Sequence, residues 1–173
     1  APGRKLDSDP IQTSIRIVEA WGYTVRVAKN LFSSKHSYLS GSDAERLQDL
    51  QHMLDDPSVK AIICARGGYG TTRILDRLNF TSFLKNPKWI CGFSDITALH
   101  LKLQALGVQS IHGTMPVLFS KPESAISVDA LQKILSGGRV ALEANPNLKN
   151  KIGAASGTLI GGNLSLIVDS LGT

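Results

Sequence analysis

Ser94 is the residue whose setting best suits covalent chemistry. Gly92-Phe93-Ser94-Asp95 follows the short apolar run Trp89 to Phe93 and precedes a stripe of Ile96, Leu99, Leu103 and Leu106. That pattern predicts a strand, a tight turn and a helix closed by Gly107. A serine at such a junction projects its hydroxyl from the sheet edge, and the amide of the following residue faces any oxyanion formed there. The run departs from Gly-x-Ser-x-Gly, because Ile96 fills the last position and Thr97 follows it. A serine ahead of a helix also serves as a plain N-cap, so these residues alone leave both readings open.

The second constellation is Arg66-Gly67-Gly68-Tyr69-Gly70, after the apolar run Val59 to Ala65. Glycines this dense let a backbone approach a ligand and expose its amides. Oxyanion hole, phosphate cradle and tight turn all fit, although the Gly-Lys-Ser/Thr ending of a P-loop and the spacing of a dinucleotide fingerprint are missing. Of the histidines, His100 lies six residues along the expected helix from Ser94, His36 falls in a loop and His52 on a solvent-facing helix. His112 ends a strand at the active edge and is the only local candidate base, with a backbone-bonded structural role as its rival. Glu45 has a capping position and Glu143 lies in a loop-like stretch, so the residues present do not assemble a triad.

The elements that must position these groups follow from periodicity. Asp9-Pro10 with Ile11, Ile15 and Val18 predicts a helix ended by Gly22, and Tyr23, Val25 and Val27 alternate as a strand. Ser42-Asp43-Ala44-Glu45 has the form of a capping box before Leu47, Leu50 and Leu54. Strands are expected at Val59 to Ala65, Trp89 to Phe93 and Val108 to His112, with a helix carrying Ile74, Leu75 and Leu78 between the first two. This alternation predicts an α/β fold with a mostly parallel, doubly wound sheet, whose ligands bind beyond the carboxyl ends of the strands. We expect an N-terminal nucleophile domain over 1–116, a linker region with a short helix over 117–151, and the beginning of a truncated second domain over 152–173. In that last part Gly157 to Gly162 and Asn163 to Leu171 read as a strand, a glycine turn and a helix.

Composition excludes several classes. The 173 residues carry 19 basic and 14 acidic side chains scattered along the chain, with 42% hydrophobic residues. Dispersed charge argues against nucleic-acid binding, and no apolar stretch suits a membrane span. Cys64 and Cys91 sit in apolar runs and read as small buried hydrophobes. Neither a signal peptide nor a lipidation motif is legible, so the default compartment is the cytoplasm, although the opening Ala1-Pro2-Gly3 lacks an initiator Met.

Taken together, Ala65-Arg66-Gly67-Gly68-Tyr69-Gly70, Gly92-Phe93-Ser94-Asp95-Ile96-Thr97-Ala98-Leu99, Ile111-His112-Gly113 and Gly161-Gly162-Asn163-Leu164-Ser165 resemble, in order and spacing, the murein L,D-carboxypeptidase family, which includes the microcin-immunity peptidases. The resemblance implies a cytoplasmic, dimeric serine peptidase of peptidoglycan recycling that removes the terminal D-alanine from a murein tetrapeptide and uses no cofactor. By position it implies Ser94 as nucleophile and the amides of Asp95 and Gly67 or Gly68 as the oxyanion hole. Arg66, Tyr69, His112 and Asn163 become candidates for substrate binding. The family's triad is Ser-Glu-His, with its Glu and His downstream of the Gly-Gly-Asn-Leu motif, and Ala1-Pro2-Gly3 looks like the end of the family's first strand with Gly in place of Ser. The implied protein is therefore a truncated or nicked one, inactive on its own. Alternatives are a microcin-immunity type amidase acting on a peptide-nucleotide antibiotic, a non-catalytic phosphate- or nucleotide-binding module, and a degenerate member kept as a binding scaffold.

Overall fold

The computed structural model describes residues 2–143 and 145–172, so the Ala1 of the expected first turn lies outside the described residues. The elements run α1 (Ser8–Ala20), α2 (Asp43–Asp55), β1 (Ala61–Ile63), α3 (Thr72–Leu75), α4 (Thr81–Lys85), β2 (Trp89–Gly92), α5 (Thr97–Ala105), β3 (Ile111–His112), α6 (Ala125–Leu135) and α7 (Leu164–Asp169). The predicted capping box opens α2: Ser42 Oγ accepts from the Glu45 amide, and Glu45 Oε2 accepts from the Ser42 amide. Gly22, at φ +91°, turns the chain out of α1.

The strands form one parallel sheet in the order β1-β2-β3, with Ile62 opposite Ile90, Ile63 opposite Cys91 and Cys91 opposite Ile111. Successive side chains of a strand point to opposite faces, and that alternation builds two cores. Ile62 and Ile90 pack with Leu50, Leu54, Ile74, Phe83, Leu99 and Leu103 on one face. Ile63, Cys91 and Ile111 pack with Ile17, Val18, Trp21, Phe119, Val128 and Leu131 on the other. Each fully buried Leu, Ile or Phe contributes about 1.5–3 kcal/mol over leaving it exposed. Helices on both faces give the doubly wound α/β arrangement that the sequence predicts. Cys64 and Cys91 are buried free thiols, each pushed up to about 12 chiefly by burial.

Several predicted elements change on folding. Tyr23 to Val27 forms no strand: this segment and β1 both line a cavity of about 600 Å³ and do not pair with each other. Gly157 to Gly162 likewise forms no strand. The helix expected through Leu78 stops at Leu75; the Gln51 side chain holds both the amide and the carbonyl of Asn79, and the chain turns into α4. Within the expected linker region, α6 lays Val128 and Leu131 against the sheet. Among the described residues no helix is long and apolar enough to cross a membrane.

Asp56 ties the far edge together. Its side chain accepts from the amide and hydroxyl of Ser58 and pairs with Arg26, while Lys88 Nζ donates to the Asp56 carbonyl at 2.6 Å. The Ser58 hydrogen bonds foremost, with smaller help from Arg26, hold the Asp56 carboxyl at about 2, below its ordinary 3.8. A depressed folded-state value stabilises above the unfolded one, and that contribution disappears as pH falls from near 4 through about 2. Urea titrations across that window should therefore show a shallower loss of stability in Asp56→Ala than in the parent.

Candidate active site

Both glycine-rich turns lie at the carboxyl ends of parallel strands, where the sheet can open toward a ligand. The chain leaves β2 through Gly92 and an extended Phe93, then turns through Ser94–Ile96 into α5. Ser94 takes φ +60° and is the only non-glycine residue with positive φ among the described residues. Holding a serine there costs on the order of 1–3 kcal/mol, a strain that persists only where the surroundings enforce it. Ile96, fully buried, packs over the turn: a Cβ at Gly92 would lie 2.8 Å from Ile96 Cγ1, so only glycine fits two residues before the serine. Ser94 is half-buried and its hydroxyl caps no helix end, which sets aside the N-cap reading. Its Oγ has no hydrogen-bond partner among the described residues.

The 66–70 loop backs onto this turn. A Cβ at Gly67 would sit 3.3 Å from Ser94 Cβ and 3.4 Å from the Asp95 amide nitrogen, so the two turns share one small space. The Gly67 carbonyl accepts from the Arg4 amide at 3.0 Å. Because the peptide is planar and trans, the Gly68 N–H points away from Arg4. Gly68 itself has φ +90°, and a Cβ there would meet Arg4 Cβ at 2.6 Å.

Asp95 contributes more than its amide. Its carboxylate is buried and Oδ2 accepts from the Thr71 amide at 2.9 Å and the Thr71 hydroxyl at 2.6 Å. Burial pushes this carboxyl above its ordinary value, and the Thr71 hydrogen bonds, with smaller help from Gly70 and Arg46, pull the other way. The Arg46 guanidinium, fully buried, donates to the Gly70 carbonyl at 2.8 Å and also reaches the Pro2 carbonyl.

The remaining candidates are dispersed around this centre. Arg66 is half-buried, and Tyr69 is exposed with its amide on the Tyr38 hydroxyl at 3.4 Å. His112 is exposed at the end of β3, with its ring centroid 6.3 Å from that of Phe93 and 5.8 Å from that of His100. His100 is occupied on both ring nitrogens, by Ser110 Oγ and by the Gly92 carbonyl, each at 2.8 Å, and burial lowers its basicity. His36 Nδ1 accepts from the amides of Tyr38 and Leu39. None of the four histidines hydrogen-bonds Ser94 among the described residues.

Asn163 arrives from far along the chain. Its amide donates to Thr97 Oγ1 at 2.9 Å, while its side-chain oxygen caps α7 through Ser165. Gly162 presses so closely that a Cβ would lie 2.5 Å from Thr97 Oγ1, which seats the Gly-Gly-Asn motif on the helix that follows the serine. Sequence reasoning did not single out Thr71, Arg46 or Thr97. Thr71 carried one available signal, its position directly after the last loop glycine.

The chain is similar to known proteins in sequence and in fold. The model of the LD-carboxypeptidase N-terminal domain matches residues 1–113. A probable murein peptide carboxypeptidase of Bacillus subtilis is 36% identical over all of this chain and 56% of its own length. The murein tetrapeptide carboxypeptidase of Pseudomonas aeruginosa is 29% identical over all of this chain and 59% of its own. Among solved structures, a microcin C7 self-immunity protein bound to adenosine monophosphate superposes with a TM-score of 0.78 at 23% identity, over 96% of this chain and 58% of that one. The chain thus spans little more than half the length of the curated relatives it matches.

Proposed function

Since the chain belongs to the LD-carboxypeptidase family, we propose that it supplies the nucleophile and the oxyanion hole of a serine peptidase that removes the terminal D-alanine from murein tetrapeptides. The observation that carries this reading is the strained Ser94, held half-exposed beyond β2 with Gly67 and the Asp95 amide packed against it. Ser94 Oγ attacks the carbonyl carbon of the residue preceding D-alanine. The Asp95 and Gly68 amides stabilise the resulting oxyanion, where one such donor is worth about 10²- to 10³-fold in rate. Collapse of the tetrahedral intermediate expels D-alanine and leaves an acyl-enzyme, which water hydrolyses. The proton relay requires a histidine and an orienting glutamate, the pair that the family resemblance places after the Gly-Gly-Asn-Leu motif. The expected setting is a cytoplasmic homodimer acting in peptidoglycan recycling.

The test is hydrolysis by the full-length protein of a murein tetrapeptide against its all-L counterpart and a peptidyl-nucleotide amide, with products read by mass spectrometry. Release of D-alanine from the tetrapeptide alone is the expected result. Cleavage of the peptidyl-nucleotide alone would move the assignment to the microcin-immunity type. Binding of AMP without hydrolysis of any substrate would favour a nucleotide-binding module.

A further inference from the structure

The Asp95 side chain is placed oddly for a residue in the first turn of a helix. It makes no capping bond to the turn that carries it. It reaches instead across to Thr71, 24 residues earlier, at the exit of the glycine loop. A carboxylate taken from water is costly unless its oxygens are satisfied, and here Oδ2 receives both the amide and the hydroxyl of one residue. Thr71 is fully buried and Asp95 nearly so. Arg46 holds the neighbouring Gly70 carbonyl from behind at 2.8 Å, fixing the same stretch from a second side.

We propose that Thr71 and the Asp95 carboxylate are positioning residues for catalysis, coupling the two halves of the oxyanion hole into one rigid unit. The residue that offers its own amide to the oxyanion fixes, through its side chain, the loop that offers the other. Gly67, Gly68 and Gly70 carry no side chains to anchor the loop, so its place is set by its backbone bonds to Arg4, Tyr38 and Arg46 and, at its exit, by the Thr71–Asp95 pair. A misplacement of about 1 Å in such donors costs up to about 10²-fold in rate. The effect falls on the transition state, where charge develops, rather than on ground-state binding. This inference rests on the serine peptidase reading, and its test separates the two.

In the full-length protein, Thr71→Val keeps the side-chain shape and removes the hydroxyl, whereas Thr71→Ser restores it. Each is compared with the parent for labelling rate by a fluorophosphonate, for kcat and KM on murein tetrapeptide, and for Tm. The expected result is a fall of about 10- to 100-fold in labelling rate and kcat for Thr71→Val, with KM within about two-fold and recovery to within about three-fold of the parent in Thr71→Ser. Should Tm drop while labelling and kcat stay at parental values, or should Thr71→Ser be as slow as Thr71→Val, the pair is structural and the proposal fails. A parent protein that takes up no fluorophosphonate overturns the peptidase reading itself, and the positioning role with it.

Discussion

Ser94→Ala in the full-length protein is expected to lower the rate of D-alanine release by about 10⁴-fold or more while leaving Tm nearly unchanged, as removal of a triad nucleophile does elsewhere. The two halves of this expectation have separate causes. The Ser94 hydroxyl makes no hydrogen bond among the described residues, so its loss leaves no buried partner unsatisfied. Alanine at φ +60° carries the same backbone strain as serine, so that cost is unchanged. Ser94→Gly completes the comparison. Glycine adopts positive φ freely, so this variant should be just as inactive and about 1 kcal/mol more stable than the parent. A stability gain together with loss of activity would identify Ser94 as a site where the fold tolerates strain for chemistry. Parental activity in Ser94→Ala would remove the nucleophile from the proposed mechanism.

Gly68→Ala should produce the second-largest effect, a fall in kcat of about 10²- to 10³-fold if the loop's amide leaves its place at the oxyanion. The new methyl group would meet Arg4 Cβ at 2.6 Å, and the residue already sits at φ +90°. Both constraints push the loop away from residues 3–5, whose Arg4 amide holds the Gly67 carbonyl. Strain of this kind costs on the order of 1–3 kcal/mol, so Tm should fall as well. Measuring kcat well below Tm separates the two effects: a folded Gly68→Ala protein with parental kcat would show that the Gly68 amide takes no part.

The pattern of what was legible follows the range of the interactions involved. Local signals held wherever one segment carried its own instruction. The Ser42–Glu45 box starts α2, Gly22 ends α1, and the apolar runs around Ile62 and Ile90 form neighbouring parallel strands, the first half-buried and the second buried from Ile90 onward. Alternation at Tyr23, Val25 and Val27 was equally clear yet produced no ladder, because a strand exists only where a second edge is within hydrogen-bonding reach. The same holds for Gly157 to Gly162. Beyond α3, the path of the chain at Asn79 is held by Gln51, a residue on another helix, through bonds to its amide and carbonyl.

The amino-acid sequence by itself determined the chemistry available to this protein: one serine at a strand-to-helix junction, a glycine loop after the preceding strand, and an order of motifs that places the chain in its family. Those features are encoded by residue type and short spacing, which a linear reading can follow. Only the tertiary structure decided that the serine occupies a left-handed conformation, that Gly67 backs directly onto it, and that Asp95 reaches Thr71. Each of these depends on two segments meeting, and the packing of Ile96 against Gly92 and of Arg4 against the loop brings them together.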